Sequence, residues 1–232
     1  LRKAATRLAA GETAAPIAIG IDDVERDLGR ARFHDEVRER TGVAGVATGL
    51  AVTAVGGDVL FVEASSHAGS GGPTLTGQLG DVMRESASIA LSHVQANAAH
   101  YGIDSRQFDD RRFHLHVPAG AVPKDGPSAG VTMSTAVVSL LTGRHVRPDV
   151  AMTGEVTLRG RVLPVGGIKQ KVLAAHRAGI TDVIIPKRNE GDLEDVPAEV
   201  LAELAIHPVA SLDEALAVSL EPAVHWDEIA VP

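Results

Sequence analysis

The stretch Asp125-Gly126-Pro127-Ser128-Ala129-Gly130 puts a hydroxyl where a loop runs into a helix. Asp125 is a residue type that caps helices, Pro127 suits a first turn, and the small neighbours clear space around Ser128. Free backbone N–H groups and the positive end of the helix dipole at such a junction favour an alkoxide and then a tetrahedral oxyanion, the charges that develop in acyl transfer. A serine nucleophile also needs a base. Ten histidines are candidates, and so is a lysine whose pKa falls in apolar surroundings. In GGIKQKVLAAHRAG, at about 100° per residue, Ile168, Val172, Ala175 and Gly179 form one inward stripe, with Lys171 about 60° from its centre and Lys169 about 100° away. Lys171 is therefore the better placed amine. From the residues alone, a serine that only caps its helix and a lysine that snorkels to solvent account for the same pattern.

Other chemistries fit less well. GPSAG satisfies the G-x-S-x-G expression, but a nucleophile elbow needs a strand leading directly into the serine, whereas here a loop intervenes and Pro127 restricts the backbone. His114 and His116 share one face of a strand and could chelate a metal, yet no His-Glu-x-x-His motif or third ligand accompanies them, and an ordinary strand face is the simpler reading. No G-x-x-x-x-G-K-[ST] occurs, so the chain is not a P-loop ATPase. The absence of cysteine removes disulfides, zinc-thiolate sites, iron-sulfur clusters and a cysteine nucleophile. With 22 Lys+Arg against 30 Asp+Glu, the net charge of -8 offers no basic field for phosphate backbones, and 3% aromatic residues supply no stacking platform; nucleic acid is not an expected partner. Apolar runs such as Ala136 to Leu141 are far too short to cross a bilayer.

The elements that must position Ser128 and Lys171 follow from periodicity. Residues 1–44 read as an appendage, with a short Ala/Arg helix, a strand-like IAIGI and a charged helix around Asp22 to Arg40. The opening LRKAATRLAAGETAAP carries Glu12 and lacks the context of a cleaved transit peptide, so the chain reads as a piece of a longer protein. ATGLAVTAV and DVLFVEAS alternate as a hairpin, with Gly56-Gly57 as its turn, and SSHAGSGGPTLTG reads as an exposed loop. A helix is expected from Gln78 to about His100, a strand over RFHLHVP, and a helix from Ser128 to Leu141. VAMTGEVTLRGRVLPV reads as a hairpin turning at Arg159-Gly160, followed by a helix closed by Gly179 and the buried strand TDVIIP. The remainder adds helix, strand and helix, with Ser211 as an N-cap. Hairpins mixed with strand-helix alternation give an α+β fold with helices packed on twisted sheets, and 44% hydrophobic residues suffice for its core.

PKDGPSAG at 123–130, MTGEVTLRGRVLPVGGIKQKVLAAHRAGITDVIIP at 152–186, and the upstream TGLAVTAVGGD and TLTGQLGDVMRES together closely resemble the proteolytic domain of Lon proteases. The resemblance covers residues 45–221, leaving 222–232 as a C-terminal tail and 1–44 as the end of an AAA+ small helical subdomain with its connector. It implies the Lon proteolytic-domain fold, similar to domain 2 of ribosomal protein S5, and a Ser-Lys dyad that cleaves peptide bonds through an acyl-enzyme. The matching positions are Ser128 and Lys171. Thr153 matches a threonine that holds the lysine amine, and Asp125 and Glu155 match acidic positions near the site. Where the family usually reads HVPEGA this chain has HVPAGA, so Ala119 replaces a glutamate.

The resemblance further implies no cofactor or metal for peptide hydrolysis, with ATP and magnesium needed only by an ATPase outside this chain. It implies unfolded or damaged proteins as substrates, a homohexamer, no membrane partner, and a bacterial cytoplasmic setting, with the mitochondrial matrix as the alternative. Two other functions stay open: a catalytically silent Lon-like assembly domain, whose mark would be loss of Ser128 or Lys171, and a Lon-like protease lacking an ATPase.

Overall fold

The computed structural model describes residues 2–12, 14, 16–20, 23, 41–53, 56–118 and 124–222. Residues 1–36 form one compact unit and residues 37–232 a second. The first contains helix α1 (Arg2–Ala9), the Ala/Arg helix expected from the sequence. Residues 17–20 are irregular rather than a strand, and the charged helix expected over 22–40 lies, apart from Asp23, outside the described residues, as does Ala119.

The second unit is built on a seven-stranded sheet in the order β3-β4-β2-β1-β5-β8-β9. Its strands are β1 (Val46–Thr53), β2 (Gly56–Ala68), β3 (Thr74–Thr76), β4 (Arg111–His116), β5 (Val150–Met152), β8 (Asp182–Pro186) and β9 (Ala205–Val209). β1, β2 and β4 pair antiparallel, while β5, β8 and β9 continue from β1 as a parallel half. A separate hairpin joins β6 (Glu155–Val156) to β7 (Val162–Leu163) around the predicted Arg159-Gly160 turn. Helices α2 (Asp81–Ala96), α3 (Gly130–Thr142), α4 (Ile168–Arg177), α5 (Ala198–Ala202) and α6 (Leu212–Ser219) complete the unit. The architecture is α+β, as the mixture of hairpins and strand-helix alternation requires.

Two cores form because successive strand residues point to opposite faces. β8 sends Val183 and Ile185 to one core and Ile184 to the other, and β5 divides Ala151 from Val150 and Met152 in the same way. The larger core packs α2, α3 and α6 on one face; the smaller packs α4, α5 and the 3₁₀ segment Lys187–Asp195 on the other. α3 carries no charged residue and is buried nearly all round; Ser134 Oγ donates to Gly130 C=O at 2.9 Å, while Thr135 Oγ1 is buried without a hydrogen-bond partner. Ser211 caps α6 as expected, accepting from Glu214 N–H at 3.3 Å.

Two expectations are corrected. Gly56-Gly57 is not the β1–β2 turn: Gly56 pairs with Thr53 and Gly57 with Val52, which places the connection at residues 54–55, outside the described residues. Gly57 instead permits close approach, since a Cβ there would lie 1.9 Å from the backbone oxygen of Gln170 in α4. The Ser/Gly-rich SSHAGSGGPTLTG is not all loop either. β2 runs through Ala68 against β4, and Thr74–Thr76 pairs parallel to β4 as the edge strand. Composition marked a loop, but a neighbouring strand supplies the hydrogen bonds that hold these residues extended.

Candidate active site

Ser128 sits in the 3₁₀ turn Pro127–Ala129 that feeds α3. The turn is fastened to the chain just beyond β5: Ser128 C=O accepts from Gly154 N–H at 2.9 Å and from Thr153 Oγ1 at 3.3 Å. Val131 N–H returns a bond to Gly154 C=O at 3.0 Å. These reciprocal bonds set the Ser128 turn against the end of a buried strand, and Thr153 just beyond it is itself held by its N–H on Ile184 C=O at 3.0 Å.

Lys171, the fourth residue of α4, is 3% exposed. Ile168, Val172 and Ala175 turn the same helix face into the smaller core, so the inward stripe is where helical periodicity places it, and Lys169 faces solvent. Lys171 Nζ donates to Thr153 Oγ1 at 2.9 Å. Burial away from water, with no compensating carboxylate, lowers the amine from 10.5 to about 8. A chain of hydrogen bonds therefore runs from Lys171 Nζ through Thr153 Oγ1 to Ser128 C=O. Because the Thr153 hydroxyl donates to that carbonyl, it accepts from the amine, and a neutral Lys171 keeps its lone pair free. Among the described residues no hydrogen bond links Ser128 Oγ directly to Lys171 Nζ.

Asp125 does cap a helix, but not the one it precedes. Its Oδ1 accepts from Met83 N–H in the first turn of α2 at 3.0 Å and from Gly126 N–H at 2.9 Å. Gly80 N–H donates to Lys124 C=O at 2.8 Å beside it, so the loop before Ser128 is pinned to the start of α2. Glu155 lies half-buried in β6 opposite Leu163 and is not hydrogen-bonded to Ser128, Thr153 or Lys171. Thr153 thus links Lys171 to the backbone of Ser128, Asp125 stands behind the Ser128 loop, and Glu155 belongs to a strand that packs against the Ser128 turn without bonding these three residues.

His114 Nε2 and His116 Nδ1 both meet Thr76 Oγ1, at 2.8 and 2.7 Å. Among the described residues no cluster of three His, Asp or Glu side chains could hold a metal ion, and none of the helices is long and apolar enough to cross a membrane. Two buried polar residues near the site escaped sequence reading. Ser86 of α2 donates to Pro127 C=O at 3.4 Å, and Asn189 bonds the backbone of Val165 ahead of α4. Neither stands in a local pattern that distinguishes it from a surface polar residue.

This arrangement can be set beside known proteins. The model of the Lon protease (S16) C-terminal proteolytic domain matches residues 18–222. The chain belongs to the Lon proteolytic-domain family. It is 62% identical over 209 residues to the Lon protease of Salinispora arenicola, covering 90% of this chain and 27% of that protein. Against the Lon protease of Mycolicibacterium smegmatis the identity is 61% over 223 residues, covering 96% of this chain and 28% of the relative. Lon protease 1 of Sorangium cellulosum is 58% identical over 216 residues, covering 93% and 27%. This Lon domain therefore spans about a quarter of the length of the curated relatives it matches.

Proposed function

We propose that this Lon domain is a serine endopeptidase in which Ser128 is the nucleophile and Lys171 the general base. The observation that carries the reading is the buried amine of Lys171, lowered to about 8 and held on Thr153 against the backbone of Ser128. An uncharged amine is the form that can accept a proton, and desolvation keeps a useful fraction of Lys171 in that form near neutral pH.

In this mechanism the Ser128 turn shifts to bring Oγ to Lys171 Nζ, which takes the hydroxyl proton as Oγ attacks the peptide carbonyl carbon. The tetrahedral oxyanion lies at the positive end of the α3 dipole. The C–N bond then breaks, the Lys171 ammonium passes its proton to the leaving amine, and an ester to Ser128 remains. Water attacks the ester with Lys171 again taking a proton; the acid departs and the proton returns to Ser128 Oγ. Thr153 fixes the amine's direction, and Asp125 holds the loop through α2. No step calls on a cofactor.

From the family resemblance we propose a wider setting, which the match to about a quarter of much longer Lon proteases leaves room for: a homohexameric, ATP-dependent protease of the bacterial cytoplasm whose AAA+ ATPase, with ATP and magnesium, lies outside this chain and delivers unfolded or damaged proteins to the site. Residues 1–44 are then the end of the ATPase's helical subdomain and its connector. Casein hydrolysis by the chain, by Ser128→Ala and by Lys171→Ala, each with and without ATP, tests the reading. Cleavage by the parent alone, indifferent to ATP, is expected. Full activity in Lys171→Ala would refute the dyad, and failure of Ser128 to form an acyl adduct detectable by mass spectrometry would identify a silent binding domain.

A further inference from the structure

Val165 leads from β7 into α4, and one side chain takes both of its backbone polar groups. Asn189 Oδ1 accepts from Val165 N–H at 2.9 Å, and Asn189 Nδ2 donates to Val165 C=O at 3.0 Å. This is the two-bond exchange that a neighbouring strand residue would make, supplied here by a carboxamide. Asn189 is 5% exposed and shares Nδ2 with Asp192 at 2.5 Å, which locks the amide's orientation.

Between Val165 and the first residue of α4 lie only Gly166 and Gly167, the second in the left-handed region at φ +73°. Neither has a side chain to fix the helix's approach, and no side chain caps the N-terminus of α4. Lys171 N–H donates to Gly167 C=O at 3.0 Å, so the backbone of the base is tied directly to the diglycine. The Val165 side chain is buried in the smaller core, but apolar packing is non-directional, whereas two hydrogen bonds to one amide fix both position and rotation.

We propose that Asn189 is a positioning residue for the base: by gripping Val165 it fixes the start of α4 and thereby the place of Lys171 Nζ on Thr153 Oγ1. Without that grip the helix pivots at the diglycine, the amine leaves Thr153, and water reaches it. This rests on the Ser-Lys reading above, yet its consequence for the amine is measurable without turnover.

The test is trace acetylation with acetic anhydride from neutral to strongly alkaline pH, quantified at Lys171 by mass spectrometry, with exposed Lys169 of the same helix as internal reference. Asn189→Asp keeps the shape and the acceptor but removes the donor to Val165 C=O; Asn189→Ser, smaller and uncharged, carries the same test if the first fails to fold. The expected result is a Lys171 titration raised by about one pH unit, about tenfold less neutral amine at a given pH, with Lys169 unchanged. In parallel, kcat for a short peptide substrate falls about tenfold with KM altered less than about twofold. An unchanged Lys171 titration in a folded variant overturns the proposal. So does loss of folding in both variants, which would make Asn189 a general stability element. A parent without peptidase activity but with the titration shift intact would refute the dyad and leave the positioning role standing.

Discussion

Replacing Lys171 by methionine should stabilise this domain near neutral pH, and the size of the gain follows from the burial of the amine. Moving a lysine from 10.5 to about 8 corresponds to about 3 kcal/mol of preference for the neutral form. Below the folded value both folded and unfolded chains hold the proton, so the whole cost of burying the charge is present at about pH 7. Between the folded and unfolded values the unfolded chain binds more protons, so stability rises with pH and the cost fades. Methionine fills a similar volume and has no charge, but it forfeits the 2.9 Å bond to Thr153, a loss of about 1 kcal/mol. The net expectation is a gain of about 2 kcal/mol at about pH 7 that is gone by about pH 10. Urea unfolding followed by circular dichroism, on parent and Lys171→Met at both pH values, measures it. A variant less stable than the parent at neutral pH, or an offset that does not change with pH, would refute the claim that a buried, desolvated amine is being held for chemistry.

Three further outcomes are expected. In peptide hydrolysis, kcat/KM should rise about tenfold per pH unit up to about pH 8 and then level, because only neutral Lys171 accepts the serine proton; a flat profile across that range counts against a lysine base. Asp125→Ala removes the acceptor from Met83 N–H and should lower stability by about 1 kcal/mol as well as slowing turnover, read by urea midpoint and initial rate; full activity would show that the loop is held without it. Gly57→Ala forces a methyl group toward Gln170 C=O, where its Cβ would stand 1.9 Å away, and should destabilise by more than about 2 kcal/mol in the same assay.

Ser128 and Lys171, the members of the proposed dyad, could be singled out because each has a local signature. Ser128 sits among small residues at a loop-helix junction, and Lys171 falls on the buried side of a periodic helix. What the sequence hid was tertiary. Gly57 has the composition of a turn and the job of a close contact with α4, a distinction that only the opposing backbone makes. Residues 65–68 and 74–76 have loop composition, but β4 between them supplies the pairing. Asp125 caps a helix more than forty residues earlier in the chain, and Asn189 reaches back to Val165. Contacts of this kind leave no period or spacing for a sequence reading to find.

The two members of the proposed dyad come from opposite sides of the sheet. α3, which follows Ser128, packs into the larger core, while α4, which carries Lys171, packs into the smaller, and Ser128 C=O and Lys171 Nζ both bond Thr153 Oγ1 just beyond the end of β5. A growing polypeptide released only as far as α3 has Ser128 but neither the threonine nor the amine that would arm it in the proposed mechanism. Even with α4 synthesised, the amine stays hydrated and protonated until both layers close on the sheet. On the proposed mechanism the domain is thereby harmless during its own synthesis, when the nearest unfolded polypeptide is itself.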